Sequence, residues 1–280
     1  RMKKLITLCC GAFLLTACGN GIEKKANEKL TAARTAYEQG NYEEAKLQID
    51  SIKILYPKAF ETRKAGQALM LDVELKVQQQ KLDSLNSALQ AKQQAFDAIK
   101  NQYILEKDTA YQQMGNYLWP TQTVEKNLHR SFLRFQVNEQ GIMSMTSIYC
   151  GGNNIHHTAV KVSVSDGTSA ESPRSRDSYE TTDLDEKIEK ADYKLGEDGG
   201  IIDFVNLNKD KNIRLEYIGD RKYTTTMTPA DRQAAVGIYE LAQILSSMTQ
   251  IKKEQEEANL KIGFINKKKE INAQKAAAEK

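Results

Sequence analysis

Two long stretches of the chain place an apolar side chain at every third or fourth position. Leu71, Leu75, Gln78, Leu82, Leu85, Leu89, Lys92, Phe96, Ile99 and Tyr103 advance by alternating steps of four and three. On an α-helix that spacing keeps one face turned towards a partner helix, as in a coiled coil. From Phe60 to Lys107 there is no proline, and Gly66 is the only glycine, so the pattern predicts one helix over residues 60–107. Gln78 and Lys92 are polar at seam positions, where they cost stability and fix register. Leu241, Ile244, Met248, Ile251, Gln255, Ala258, Ile262 and Ile265 repeat the pattern. They predict a second helix over residues 229–278, with Thr228 as its N-cap and Pro229 in its first turn. Their similar lengths predict a long antiparallel coiled-coil stalk, from segments 58–110 and 229–280. An intermolecular coiled coil is the rival arrangement, because a heptad does not identify its partner.

Residues 111–228 lose the helical period. Ser131–Val137 and Ile142–Tyr149 are two alternating runs joined at Gln140-Gly141, which predicts a hairpin. Ala159–Val164 reads as a third strand. Ile213–Ile218 and Tyr223–Met227 read as a second hairpin about Gly219-Asp220. Ile201, Ile202, Phe204, Val205 and Leu207 predict a short helix, although a buried strand carries the same residues. The fold class is therefore α+β, a small mixed β-rich domain inserted between the two long helices. Trp119, in Gly115-Asn116-Tyr117-Leu118-Trp119-Pro120, stands where helix gives way to strands and is read as locking that junction by its buried area.

Ahead of the first long helix, Ala26, Leu30, Ala33 and Tyr37 form one helical stripe, Gly40-Asn41 breaks it, and a second helix runs from Tyr42 towards Tyr56-Pro57. Gly40, Tyr42, Ala45, Ile49, Ile52 and Pro57 resemble the second half of a tetratricopeptide repeat, giving residues 22–57 as a TPR-like helical hairpin. One copy is present. About three are needed for a free-standing solenoid, so the hairpin is expected to pack on the next helix.

The first residues carry a different signal. Lys3 and Lys4 precede an apolar run from Leu5 to Leu15, too short to stay in a bilayer as a spanning helix. This reads as a signal peptide over residues 1–17. Leu15-Thr16-Ala17-Cys18 resembles the lipobox of bacterial lipoproteins, which implies cleavage before Cys18, diacylglycerol on its thiol, and a short tether over residues 18–21. The chain has 40 basic and 37 acidic residues. Losing Arg1, Lys3 and Lys4 leaves 37 of each, and a neutral chain gives no support to a nucleic-acid partner. Cys9 and Cys10 leave with the signal and Cys18 is acylated, so Cys150 has no intramolecular disulfide partner.

Candidate chemistry gathers at Cys150-Gly151-Gly152-Asn153-Asn154-Ile155-His156-His157, which holds that thiol and two of the three histidines. The Gly-Gly-Asn-Asn run suits a turn between strands, with Cys150 an ordinary strand-end residue. The alternatives are a thiolate activated by His156 or His157, and a zinc or copper site on the same three groups. Neither has the spacing of a known motif, so no metal or cofactor is assigned. Asp183–Ile188 lacks the glycine of a calcium loop and reads as a solvated loop or helix start.

Arg130-Ser131-Phe132-Leu133-Arg134 and Ser147-Ile148-Tyr149-Cys150-Gly151, with this layout, resemble a group of uncharacterised Bacteroidota lipoproteins. The resemblance implies a lipid-anchored cell-envelope protein, expected in the outer membrane facing the periplasm, and brings no activity with it. The expected function is that of a non-catalytic scaffold or binding protein with an envelope protein as partner. The alternative is a thiol- or metal-dependent enzyme centred on Cys150, His156 and His157.

Overall fold

The computed structural model describes the backbone of residues 17–278 and the side chains of residues 21–278. The signal segment up to Thr16 and the Cys18 side chain lie outside the described residues. The protein is α+β, and its chain forms two compact units. One comprises the residues up to Asn86 together with those from Glu254 onward. The other is Ser87–Lys253.

In the first unit, α1 (Ala17–Glu38) and α2 (Tyr42–Leu55) are joined through Gly40, whose φ of +75° only glycine adopts cheaply. Residues 18–21, read as a tether, have helical backbone. Asn41 caps α2 by accepting from the Glu44 N–H at 3.3 Å. The apolar stripe of α1 (Ala26, Leu30, Ala33) and that of α2 (Ala45, Ile49, Ile52) are buried against each other and against Ala65, Leu69 and Val73 of α3 (Phe60–Ile99). The hairpin thus finds its missing neighbour in the next helix.

Within this unit α3 and the last helix, α5 (Pro229–Ala278), run antiparallel. Asp72 receives Lys269 at 2.6 Å and Asn86 receives Gln255 at 2.7 Å, so later positions of one meet earlier positions of the other. Leu71, Ala258 and Ile265 on the facing stripes are buried.

α3 stops at Ile99, short of the expected residue 107. A 3-10 turn at Lys100–Gln102 follows, and Tyr103 is extended, with its hydroxyl donating to the Gly237 carbonyl at 2.7 Å. Ile104–Glu106 then pairs as β1 with β2 (Asn116–Leu118). The heptad spacing continues to Tyr103 because that ring is buried too, but strand pairing overrides helix propensity beyond it.

The second unit holds two antiparallel sheets. The larger has the order β1-β2-β3-β4-β8-β7, with β3 Phe132–Asn138, β4 Met143–Gly151, β7 Asp177–Asp183 and β8 Glu186–Lys194. The smaller has the order β10-β9-β5-β6, with β5 Ala159–Ser163, β6 Ser169–Glu171, β9 Arg214–Ile218 and β10 Lys222–Thr226. Alternate residues of both enter one core: Phe135, Met145 and Tyr149 from one sheet, Val160, Val162 and Tyr217 from the other. The short helix α4 (Ile201–Leu207) and Ile238, Leu241 and Leu245 of α5 complete it.

Two details fix α5 in this unit. Thr228 accepts from the Asp231 N–H at 3.1 Å, the expected cap, and Arg130 pairs with the buried Asp231 carboxylate. Trp119 lies against Gly237, where an added Cβ would come within 2.4 Å of the indole ring.

Candidate functional site

The structure separates the three groups that the sequence placed in one motif. Side chains alternate along β4, so Ser147 and Tyr149 enter the core, while Ile148 and Cys150 face outward. Cys150 is a strand-end residue, and the turn follows it. His157 goes inward to Ser147. His156, with a positive φ of 52°, stays on the surface and pairs with Glu180 at 2.6 Å. Neither a Cys150–imidazole pair nor a Cys150-His156-His157 ligand set is assembled.

The densest polar constellation is one the sequence did not suggest. Glu189 enters the core from β8 with both carboxylate oxygens in use. Oε1 accepts the backbone N–H groups of Ile155 at 2.7 Å and His156 at 2.8 Å. Oε2 accepts the His157 N–H at 2.8 Å and the His157 Nδ1 at 2.9 Å. A carboxylate only accepts, so Nδ1 carries the proton. Nε2 then accepts from Ser147 Oγ at 2.8 Å. Burial lowers the His157 pKa against the opposing pull of Glu189, which keeps the ring neutral and this tautomer in place. Burial pushes the Glu189 pKa up, but the donors from His157, His156 and Ile155 outweigh it and leave it lowered.

Ser147, His157 and Glu189 have the connectivity of a nucleophile–base–acid relay. Their exposures are 0%, 3% and 1%, and the Tyr217 ring stands edge-on to the imidazole at 5.2 Å. No substrate carbonyl can reach the serine oxygen, so the relay is a clamp that ties the loop 155–157 to β8.

His156, Glu180 and Glu189 bring ligand atoms within 4.8 Å of one another, the spacing of a cation site. Every Glu189 oxygen there already takes two N–H groups, and Glu180 already takes the His156 Nδ1. A cation would have to displace donors that hold the loop. The donor set fits the hydrogen-bonded clamp better than a metal.

No protein family, curated protein or solved structure matches this chain. Its own geometry has to carry the functional reading.

On the outward face, Cys150 lines a cavity of about 80 Å³ with Phe132, Ile148, Ile188, Val124, Leu128, His129 and Glu186. Burial, then the Glu186 carboxylate, raises the thiol pKa, so the group stays protonated and is a poor nucleophile at neutral pH. His129 donates to Glu186 at 2.8 Å. Gln122, Asn127, Arg134 and Lys190 also line the cavity. Val124 and Leu128 are exposed, and Leu184, 91% exposed, tips the β7–β8 turn whose Asp183 and Glu186 line the cavity. The segment 183–188, read as a loop or helix start, is this turn and the start of β8.

Proposed function

We propose that this chain is a lipid-anchored protein of the bacterial cell envelope that acts by binding and not by catalysis. In this reading Cys18 carries the lipid on the periplasmic side of the outer membrane. The α1–α2 pair is a single TPR-like hairpin, α3 and α5 form a coiled-coil stalk, and the inserted β-rich domain meets another envelope protein. The anchor rests on the sequence Leu15-Thr16-Ala17-Cys18. Among the described residues no helix is long and apolar enough to cross a membrane.

The observation that carries the binding reading is the cavity beside Cys150, with exposed Val124 and Leu128 in its lining and exposed Leu184 on the adjoining β7–β8 turn. Large apolar side chains left in water beside a concave slot that mixes apolar and charged groups are the usual mark of a surface that a partner covers. The groups with catalytic potential point the other way, since the relay is sealed and the thiol stays protonated. Labelling cells with radioactive palmitate and fractionating their membranes tests the anchor. The protein is expected in the membrane fraction with label, and Cys18→Ser is expected to abolish both. Label retained in Cys18→Ser would refute it.

A further inference from the structure

Among the described residues, three that are not glycine have a left-handed backbone: His129 (φ 61°), His156 (φ 52°) and Leu184 (φ 51°). Such a φ is uncommon for any side chain and an outlier for one as large as leucine. The two histidines are held there by their rings, His129 on Glu186 at 2.8 Å and His156 on Glu180 at 2.6 Å. Leu184 has no such hold. It is 91% exposed and belongs to none of the buried apolar clusters. Asp183 pairs with Glu186 across the β7–β8 hairpin, so Leu184 and Asp185 are the two loop residues. A positive φ at the first of them is where such hairpins use glycine, asparagine or aspartate. A lone exposed leucine signifies nothing, but a leucine kept in water at a position suited to glycine is stabilised by nothing inside the chain. Strain of this kind collects at binding sites, and Asp183 and Glu186, on either side of the loop, line the same cavity as the exposed Val124 and Leu128.

We infer that Leu184 is the anchor by which the chain engages its partner, inserting into an apolar pocket of that protein whose rim is basic. The inference rests on the binding reading of this surface and adds to it the residue that carries the contact and the chemistry of the pocket that receives it. Charge sets the rim. Asp183 and Asp185 flank Leu184 and are exposed, and Glu186 follows. The nearest ammonium in sequence, Lys187, is drawn to Thr182 at 3.1 Å on the opposite face of the hairpin. A leucine ringed by carboxylates is repelled by an anionic lipid surface and by the same turn of a second copy, whereas a pocket edged by lysine or arginine attracts it.

A photoreactive residue at Leu128 of the full chain, irradiated in intact cells, tests this through the amount of envelope protein captured in several backgrounds. Leu184→Met keeps a flexible apolar side chain and is expected to retain capture to within about twofold. Leu184→Gly removes the anchor and is expected to lower capture by about tenfold or more. The same substitution relieves the backbone, so the urea midpoint of the purified Cys18→Ser chain is expected to stay level or rise. Lost capture with undiminished stability separates an anchor from a residue needed for folding. Asp185→Lys sets an ammonium against the basic rim and is expected to lower capture by about fivefold. Parental capture in Leu184→Gly or in Asp185→Lys overturns the inference, and so does a midpoint that falls in Leu184→Gly. Capture of lipid alone, or of a second copy alone, overturns it too. A parent chain that captures nothing from Leu128 removes the binding reading as well, which tells the two failures apart.

Discussion

His157 Nδ1 donates to Glu189 Oε2 across 2.9 Å inside the β core, and the same carboxylate takes the backbone N–H groups of Ile155, His156 and His157. One ionised side chain therefore replaces the strand partner that a three-residue stretch of loop lacks. Buried backbone donors must be satisfied, and here the satisfier comes from β8.

Glu189→Gln keeps the shape and removes this function. One oxygen becomes an amide nitrogen facing donors, which leaves buried N–H groups without acceptors. The expected cost is about 2–5 kcal/mol, read by urea unfolding through the fluorescence of Trp119, the single tryptophan. A cost under about 1 kcal/mol would show that the carboxylate is not what holds the loop.

The same pair sets a pH dependence. His157 has its pKa lowered from 6.5 by burial, so below pH 6.5 the unfolded chain takes up a proton that the folded chain resists. The stability it contributes is complete above pH 6.5 and is lost as pH falls towards the lower folded value, by at most about 1.4 kcal/mol per pH unit. His156, raised by its hydrogen bond to Glu180, has the opposite sign: its contribution is present below pH 6.5 and disappears as pH rises through its raised value. In a His156→Gln background the urea midpoint is expected to fall between pH 7 and pH 5. Replacing His157 as well is expected to flatten that slope. A midpoint unchanged over that interval would contradict the assignment of a neutral, buried His157.

Trp119 and Gly237 give a steric test. A Cβ at residue 237 would lie 2.4 Å from the indole, so Gly237→Ala forces the ring or α5 to move. It is expected to cost about 1–3 kcal/mol and to shift the emission of Trp119. An unchanged spectrum and stability would mean that the ring does not sit on α5.

The α+β class, the two long helices, the α1–α2 hairpin and four of the strands were legible because each buries an apolar stripe, and β10 from its alternation alone, since its side chains stay largely exposed. Leu75, Leu85 and Leu89 are each less exposed than the residues beside them in sequence. β8 was not legible. Its inward positions are Lys187, Glu189, Ala191 and Tyr193, and a buried carboxylate in place of an apolar residue erases the alternation that marks a strand. β1, β2 and β6 are three residues long, too short to show a period. The supposed site failed for a related reason. Nearness in sequence at Cys150-x-x-x-x-x-His156-His157 does not survive the alternation of β4, which sends the thiol to one face and leaves Ser147, three residues earlier, facing His157 on the other.

That separation predicts how Cys150 reacts. With Cys9, Cys10 and Cys18 replaced by serine, the thiol is expected to react with Ellman's reagent at pH 7.5 at least about tenfold more slowly in the folded protein than in urea. The reason is its raised pKa and partial burial. His157→Gln is expected to leave the folded rate unchanged. A rate that falls in that variant would revive the cysteine–histidine reading.

The central claim is that the surface formed by the Cys150 cavity and the adjoining β7–β8 turn is covered by a partner in the envelope. Photoreactive residues placed singly at Leu128, Leu184 and, as a control on the exposed side of α3, Gln90, followed by irradiation of intact cells and mass spectrometry, test it most directly. Capture of the same envelope protein from Leu128 and Leu184, and not from Gln90, is the predicted result. No capture from either Leu128 or Leu184, or equal capture from all three, would contradict it.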